Sequence, residues 1–190
     1  MDVFRWTENH SSRPALWAKK DWIKQYSGVN GLLLEKSPPN TVRSLWLQKN
    51  FTPSRFLAII RNPYAVCEGI SRRTNCTIYQ AAQHWVTSNT CMLEDLKHIR
   101  NSLLLKYEDL VDDPKSTLTK IEAFLGLEKA ISVEECDHVQ AHSANGMTDG
   151  LKNLNGESLN RLTQIEITAI NSLCGDLMRL LGYSLIDNKT

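Results

Sequence analysis

The chain has 190 residues, of which 42% are hydrophobic and 23% charged, with a formal net charge of +1. This length and composition fit one globular domain, residues 1–190, and contain no apolar run of about 20 residues that could span a membrane. The small net charge argues against extended contact with nucleic acid or membrane surfaces, yet it permits a local basic pocket for one anionic ligand.

The N-terminal part predicts a strand followed by a helix. Residues 2–6 could form a short strand, and a polar stretch without periodicity follows. Pro14 then opens an amphipathic helix that Ser27 and Gly28 end.

A second apolar run, residues 32–34, predicts a further strand. Polar residues begin at its carboxyl end, and Lys36 is among them. A helix from about residue 41 to residue 49 follows.

The clearest strand signal is the apolar run 56–60, which ends in Arg61. Five apolar residues bounded by a charge and a proline are typical of a buried strand in a parallel sheet. Pro63 suits the first turn of a helix, because its missing N–H costs nothing there. Arg61 therefore stands where a strand leads into a helix, the sheet edge at which α/β proteins bind ligands.

The remaining elements continue the alternation of helix and strand. A long helix is predicted over residues 77–98, a strand over 102–107 and a helix over 113–126. Residues 128–156 predict an irregular polar surface loop, which could close on a ligand. Ser158 is expected to cap a final long helix with a wide apolar face.

This alternation predicts an α/β fold with a parallel sheet, on one edge of which Lys36, Arg61 and Tyr107 would all lie. Two cations and an aromatic ring describe a pocket for a nucleotide phosphate. Each residue alone has a plainer interpretation: Arg61 as a surface cap or ion pair, and Tyr107 as a half-buried aromatic at a strand end. The repeated placement favours the pocket.

Five short motifs follow one another along the chain. They are Glu35-Lys36-Ser37-Pro38, Arg61-Asn62-Pro63, Tyr107-Glu108-Asp109-Leu110, Asp113-Pro114 and Phe124-Leu125-Gly126-Leu127. Together they resemble the sulfotransferases that use 3′-phosphoadenosine 5′-phosphosulfate (PAPS), with a closer match to the Golgi-type and bacterial branches. Residues 158–183 look like that family's terminal helix. The resemblance implies a parallel sheet flanked by helices, in a fold related to the P-loop NTPases.

The resemblance also implies roles for three residues. Lys36 matches the lysine that approaches the sulfuryl group, where a cation stabilises charge building on the departing phosphate. Arg61 matches the arginine that binds the donor's 3′-phosphate through its planar fork of donors. Tyr107 matches a tyrosine that packs near the adenine. PAPS would be the co-substrate, and no metal is implied.

Two further residues are candidates for the 3′-phosphate. The family usually has a serine at the position of Gly69; Ser71 follows two residues later, about 200° further around a helix, so it is not a simple replacement. Lys152 lies in the polar loop, where family members place a late basic segment on the same phosphate. Arg72 and Arg73 could add charge or form an exposed solvated pair.

Glu8 and His10 are candidates for the general base that takes the acceptor's proton. They resemble the Glu-x-His pair of glycosaminoglycan sulfotransferases, which also precedes the Glu-Lys-Ser/Thr motif. The alternative is that both are ordinary polar surface residues.

The family's phosphosulfate loop, a strand followed by Pro-x-x-Gly-Thr/Ser and a helix, has no counterpart before residue 32. We therefore expect an N-terminally truncated domain, which alone could be inactive. The alternatives to a sulfotransferase are a non-catalytic remnant that binds another chain and, less favoured, a P-loop kinase-like phosphotransferase.

The acceptor is open among carbohydrate, protein tyrosine, lipid and small alcohol, with an amine as a further option and a glycan as one candidate. Five widely spaced cysteines, without the pairing typical of metal sites, are interpreted as reduced. Reduced thiols favour a cytoplasmic setting, and the Golgi lumen would be the alternative if an N-terminal anchor has been lost.

Overall fold

Two short parallel strands lie among the helices of the protein. The computed structural model describes residues 5–28, 31–136, 140–143 and 146–187. The helices are α1 (Arg13–Gln25), α2 (Ser44–Asn50), α3 (Pro63–Thr74), α4 (Ile78–Leu96), α5 (Tyr107–Asp112), α6 (Pro114–Leu125), α7 (Val133–Cys136), α8 (Asn155–Arg161) and α9 (Gln164–Leu180). The strands are β1 (Phe56–Ile60), β2 (Ser102–Lys106), β3 (Gln140–Ser143) and β4 (Gly146–Asp149), and a 3₁₀ turn covers Pro38–Val42.

The parallel pair β1 and β2 sets the position of the candidate site. Phe56 lies opposite Ser102, and the register continues to Ile60 opposite Lys106. The residues that follow the two strands therefore emerge side by side at the carboxyl edge. This confirms the predicted α/β class with a parallel sheet flanked by helices, although β3 and β4 form a separate antiparallel pair.

The turn from β1 into α3 follows from local chemistry. The Asn62 side chain accepts a hydrogen bond from the Tyr64 backbone N–H at 3.0 Å, which satisfies one of the free donors at the helix start. Pro63 occupies the first helical position, as predicted. Asn75 adopts a left-handed conformation with φ 54° and ends the helix.

Helices α3, α4 and α9 share the main hydrophobic core. Its buried side chains are Tyr64, Cys67, Ile78, Ala81, Ala82, Trp85, Leu162, Ile167, Ala169, Ile170, Cys174 and Met178. Burying one large apolar side chain stabilises the fold by about 1.5–3 kcal/mol. This core fixes α3, and with it the residues at the start of that helix, against the rest of the domain.

A second packed region joins the N-terminal segment to α2 and α4. Asp95 of α4 is fully buried, and its carboxylate pairs with Arg5 and accepts a hydrogen bond from Ser44 Oγ at 2.6 Å. The rings of Trp6 and Trp46 meet edge to face with centroids 5.0 Å apart. These contacts anchor the N-terminal segment on the side of the domain formed by α2 and the end of α4.

The predicted strand at residues 32–34 is wrong, because this segment is irregular. Its leucines are exposed, Leu34 by 82% of its surface. Three apolar residues form a strand only when a neighbouring strand supplies hydrogen bonds, and among the described strands β1 pairs with β2. Of the strand predicted at 2–6, residues 2–4 lie outside the described part, and Arg5 and Trp6 are irregular.

Three predictions for the second half of the chain also need correction. Residues 128–156 are not one irregular loop, since they include α7, β3, β4 and the start of α8. Ser158 lies inside α8, and Thr163 caps α9 through a reciprocal pair of hydrogen bonds with Glu166. Tyr107 is the first residue of α5 and not the last residue of a strand.

The other predicted helices are confirmed to within a few residues. Gly126 ends α6 in a left-handed conformation with φ 64°. No helix in the described ranges is long and apolar enough to cross a membrane.

Candidate functional site

Arg61 lies at the carboxyl end of β1, directly before α3. Its Nε donates a hydrogen bond to Asn155 Oδ1 at 2.8 Å, and its backbone carbonyl accepts one from Trp85 Nε1 at 3.1 Å. Within the described ranges no carboxylate forms an ion pair with this guanidinium. The side chain is therefore oriented through Nε, while its positive charge is not neutralised by a direct partner.

Tyr107 lies next to Arg61 because it follows the neighbouring strand. The guanidinium carbon of Arg61 is 4.1 Å from the centroid of the Tyr107 ring, which is a cation–π contact. The Tyr107 hydroxyl donates a hydrogen bond to the backbone carbonyl of Lys152 at 2.5 Å. The ring thus supports one face of the guanidinium and ties the segment before α8 to the sheet edge.

Glu108, one residue further along α5, links four parts of the chain. Its Oε1 accepts hydrogen bonds from the Asn62 backbone N–H at 2.9 Å and from Asn155 Nδ2 at 2.7 Å. Its Oε2 accepts one from the Tyr183 hydroxyl at 2.9 Å. The carboxylate therefore fixes the β1–α3 turn, the start of α8 and the segment after α9 around Arg61.

Tyr183 is a neutral donor within this network. Burial raises the pKa of its phenol, and the hydrogen bond to Glu108 raises it further, because an ionised phenol would face a carboxylate. The positive charge of Arg61 offsets part of this shift in pKa. Lys106 Nζ lies 4.8 Å from the centroid of the Tyr183 ring and adds a second cation to this edge.

The predicted site residues Arg61, Tyr107 and Lys152 therefore lie together, whereas no hydrogen bond or ion pair among the described residues joins Lys36 to them. Lys36 is exposed in the irregular segment that precedes the 3₁₀ turn. Among the described residues it forms no hydrogen bond or ion pair. Lys152 is also exposed, and its backbone carbonyl, not its side chain, makes the contact with Tyr107.

Ser71 does not reach Arg61. Its hydroxyl donates a hydrogen bond to the backbone carbonyl of Cys76 at 2.7 Å, just beyond the end of α3. Ser71 lies eight residues after Pro63, which corresponds to about 12 Å along the helix. At the position of Gly69, an added Cβ would meet only Arg73 Nη2, at 3.5 Å, so this position has room for a small side chain.

Glu8 and His10 lie in a different part of the domain. Glu8 lines an open cavity of about 740 Å³, together with Ser54 and Asn101, which precede β1 and β2. A strand of five residues is roughly 16 Å long, so this cavity is at the opposite edge of the sheet from Arg61. The structure thus brings neither residue to the Arg61 edge.

The imidazole of His10 has a defined local role in this region. Its Nδ1 accepts a hydrogen bond from the Thr7 backbone N–H at 3.0 Å, and its ring stacks parallel to Trp6 with centroids 6.0 Å apart. In the neutral form, His10 therefore carries its proton on Nε2.

Sequence reasoning missed Asn155 and Tyr183 and assigned no role to Glu108. Asn155 falls in a stretch interpreted as a loop, and nothing in its neighbours indicates a partner on β1. Glu108 belongs to a quoted motif and Tyr183 ends the stretch that looks like the family's terminal helix, so the resemblance contained a signal for them. The hydrogen bond between Glu108 and Tyr183 joins segments far apart in the chain, so no periodic pattern in the sequence indicates it.

Arg61, supported by Tyr107 and Asn155 at the carboxyl edge of a parallel sheet, defines an α/β domain with a candidate anion site. Residues 5–130 match the sequence model of the Sulfotransferase family. The chain therefore belongs to the sulfotransferase family.

Two solved structures are similar in fold. One is the sulfotransferase domain from the curacin biosynthetic pathway, with 19% identity, a TM-score of 0.60, and coverage of 90% of this chain and 68% of that chain. The other is the sulfotransferase domain from the olefin synthase of Synechococcus PCC 7002, with 21% identity, a TM-score of 0.63, and coverage of 94% and 73%. No curated protein matches the sequence significantly.

Proposed function

We propose that this sulfotransferase takes its sulfuryl group from PAPS and transfers it to a hydroxyl or amine acceptor. The observation that carries this proposal is the placement of Arg61, whose Nε is held by Asn155 and whose face is covered by Tyr107. A guanidinium oriented in this way, without a carboxylate partner in the described ranges, suits a phosphate with its two terminal nitrogens.

The donor-binding roles combine this placement with what the resemblance to the PAPS-dependent enzymes implies. Arg61 would bind the 3′-phosphate, and Tyr107 would lie beside the adenine while it supports the guanidinium. Lys152 adjoins Tyr107 through its backbone carbonyl, and we propose its ammonium group as a further contact to the same anion. We assign no phosphate contact to Ser71, because its hydroxyl is bonded to Cys76 at the far end of α3.

The transfer itself is a displacement at sulfur. The bond between sulfur and the donor's phosphate oxygen breaks, a bond between sulfur and the acceptor oxygen or nitrogen forms, and the acceptor proton passes to a base. Lys36 is the proposed cation that stabilises the phosphate oxygen as it departs. We do not assign the base, since Glu8 lies at the opposite edge of the sheet.

A nucleotide-binding module without transfer activity is the second candidate. The observation that favours it is the exposed Lys36, which forms no hydrogen bond or ion pair with Arg61 or Tyr107 among the described residues. Measuring sulfuryl transfer separately from nucleotide binding distinguishes the two functions.

Calorimetric titration with adenosine 3′,5′-bisphosphate, the desulfated donor, tests the proposal. We expect selective binding relative to ATP, and loss of that binding in Arg61→Ala. The matched control is Arg55→Ala, since Arg55 lies before β1 and donates to the Leu125 carbonyl at 3.0 Å. Absence of binding by the folded chain, or equal losses in both variants, would contradict the donor assignment.

A further inference from the structure

We infer that Glu108 is a positioning residue, which orients Arg61 toward the donor's 3′-phosphate through the side-chain amide of Asn155. This inference rests on the proposed donor and extends it to a residue that touches neither phosphate nor adenine. The observation behind it is a continuous chain of hydrogen bonds from Tyr183 through Glu108 and Asn155 to Arg61.

The first step concerns the orientation of the Asn155 amide. A side-chain amide has one accepting end and one donating end, whereas an ionised carboxylate only accepts. Glu108 Oε1 therefore holds the Asn155 NH₂ group, at 2.7 Å, and turns the amide oxygen toward Arg61. Without Glu108 the amide could rotate and present its NH₂ group to the Nε–H of Arg61, so that two donors would face each other.

The second step concerns the guanidinium. With Nε bonded to Asn155 Oδ1 at 2.8 Å and Cζ over the Tyr107 ring, the guanidinium is held by two separate contacts. Nη1 and Nη2 are then presented together, which is the arrangement that binds a phosphate bidentately. Because Glu108 does not pair with Arg61 directly, it orients the guanidinium without neutralising its charge.

The third step concerns Glu108 itself, which is held at both oxygens. Oε1 also accepts from the Asn62 backbone N–H at 2.9 Å, and Oε2 accepts from the Tyr183 hydroxyl at 2.9 Å. These contacts attach the carboxylate to the β1–α3 turn and to the segment after α9. The orientation of Arg61 therefore depends on a chain segment that lies after the last helix.

Selectivity for the 3′-phosphate separates positioning from a merely structural role. The ratio of the dissociation constants for adenosine 5′-monophosphate and adenosine 3′,5′-bisphosphate measures that selectivity within one folded variant. We expect Glu108→Ala to lower the ratio about tenfold, since a hydrogen bond to a charged group is lost from the oriented state. Glu108→Gln should stay within about threefold of wild type, because its amide oxygen can still accept from Asn155.

Two further variants complete the design. Asp109→Asn, an exposed neighbour on α5, is the matched control and should keep the wild-type ratio. In an Arg61→Ala background, Glu108→Ala should change the ratio no further, since its effect passes through Arg61. If Glu108→Ala does not fold, Asn155→Ala replaces it and should cause the same tenfold loss.

The outcomes are distinguishable. A wild-type chain that does not discriminate between the two nucleotides would overturn the proposed donor and this inference with it. A discriminating wild type whose ratio is unchanged in Glu108→Ala or in its Asn155→Ala substitute would overturn the inference alone. An equal loss in the presence and absence of Arg61 would also overturn it, because Glu108 would then act by another route.

Discussion

Arg61 lies over the ring of Tyr107, with the guanidinium carbon 4.1 Å from the ring centroid, although the two residues belong to different strand–helix units. Each is the first residue after a strand, and the in-register pairing of β1 with β2 brings them together. The contact therefore follows from the geometry of the sheet edge.

Replacing the Tyr107 ring tests this contact. We expect Tyr107→Leu to weaken binding of adenosine 3′,5′-bisphosphate about two- to fivefold, since a cation–π contact at a partly exposed site contributes about 0.5–1 kcal/mol. Tyr107→Phe keeps the ring and loses only the hydrogen bond to the Lys152 carbonyl, so it should bind more tightly than the leucine variant. Calorimetry of both variants measures the difference, and equal affinities would show that the ring is not the contributing group.

The buried carboxylate of Asp95 provides a stability test away from the site. Ser44→Ala removes a 2.6 Å hydrogen bond to this carboxylate, and we expect it to lower the free energy of unfolding by about 1.5–3 kcal/mol. Chemical denaturation measures the loss. Ser172→Ala, at an exposed position on α9, is the control and should remain within about 0.5 kcal/mol of wild type. Similar stabilities for the two variants would contradict the arrangement at Asp95.

The cap at the start of α9 can be tested with two threonine-to-alanine substitutions, one at the cap and one within the helix. Thr163 accepts from the Glu166 backbone N–H at 3.3 Å, and its own N–H donates to Glu166 Oε2 at 2.8 Å. Thr163→Ala should therefore cost about 1 kcal/mol of stability. Thr168→Ala on the same helix loses only a bond to the Gln164 carbonyl and should be nearly neutral. Thermal unfolding of both variants measures the two losses of stability. A larger loss in Thr168→Ala would contradict the capping role of Thr163.

The decrease in the free energy of unfolding at alkaline pH should depend on Tyr183. Burial and the contact with Glu108 raise the pKa of this phenol in the folded state, so it keeps its proton where the unfolded chain loses it. Above a pH of about 10 the unfolded state then binds fewer protons, and the free energy of unfolding falls as the pH rises. Below that pH the contribution is fully present.

Tyr183→Phe should therefore be less stable than wild type at neutral pH and show a shallower decline between about pH 9.5 and 11. Urea denaturation at several pH values measures both effects. An equally steep decline in the phenylalanine variant would assign the alkaline loss to other groups.

The sheet edge could be predicted from the sequence because its signals are local. An apolar run, 56–60, that ends in Arg61 and Pro63 indicates a strand entering a helix, and the same logic applies to Tyr107. Parallel pairing then places both residues on one edge. The failure at residues 32–34 has the converse reason: an apolar triplet does not reveal whether a neighbouring strand exists to pair with it.

The network behind Arg61 could not be predicted in the same way. Asn155, Glu108 and Tyr183 come from three segments, and each polar residue is compatible with an exposed position when considered alone. Their hydrogen bonds depend on tertiary packing, including that of α9 on α3 and α4. Ser158 is a misleading cap signal for the final helix, because the break between α8 and α9 carries no glycine or proline.

Substitution of Lys36 should change the rate of the reaction much more than the affinity for the nucleotide. If it stabilises the departing phosphate, Lys36→Ala should lower the rate of release of adenosine 3′,5′-bisphosphate from PAPS by about 10²–10³. Its effect on the dissociation constant of the bisphosphate should be much smaller, since that ligand lacks the sulfuryl group. Release into water can be followed without knowing the acceptor. Lys24→Ala, at an exposed position in the last turn of α1, is the matched control.

The two rates must be compared at saturating PAPS, so that a change in affinity does not lower the measured rate. A reduced rate with unchanged affinity would place Lys36 at the sulfuryl group. Equal rates in Lys36→Ala and wild type would remove Lys36 from the mechanism. If neither protein releases the bisphosphate while both bind it, the nucleotide-binding module becomes the better description of this chain.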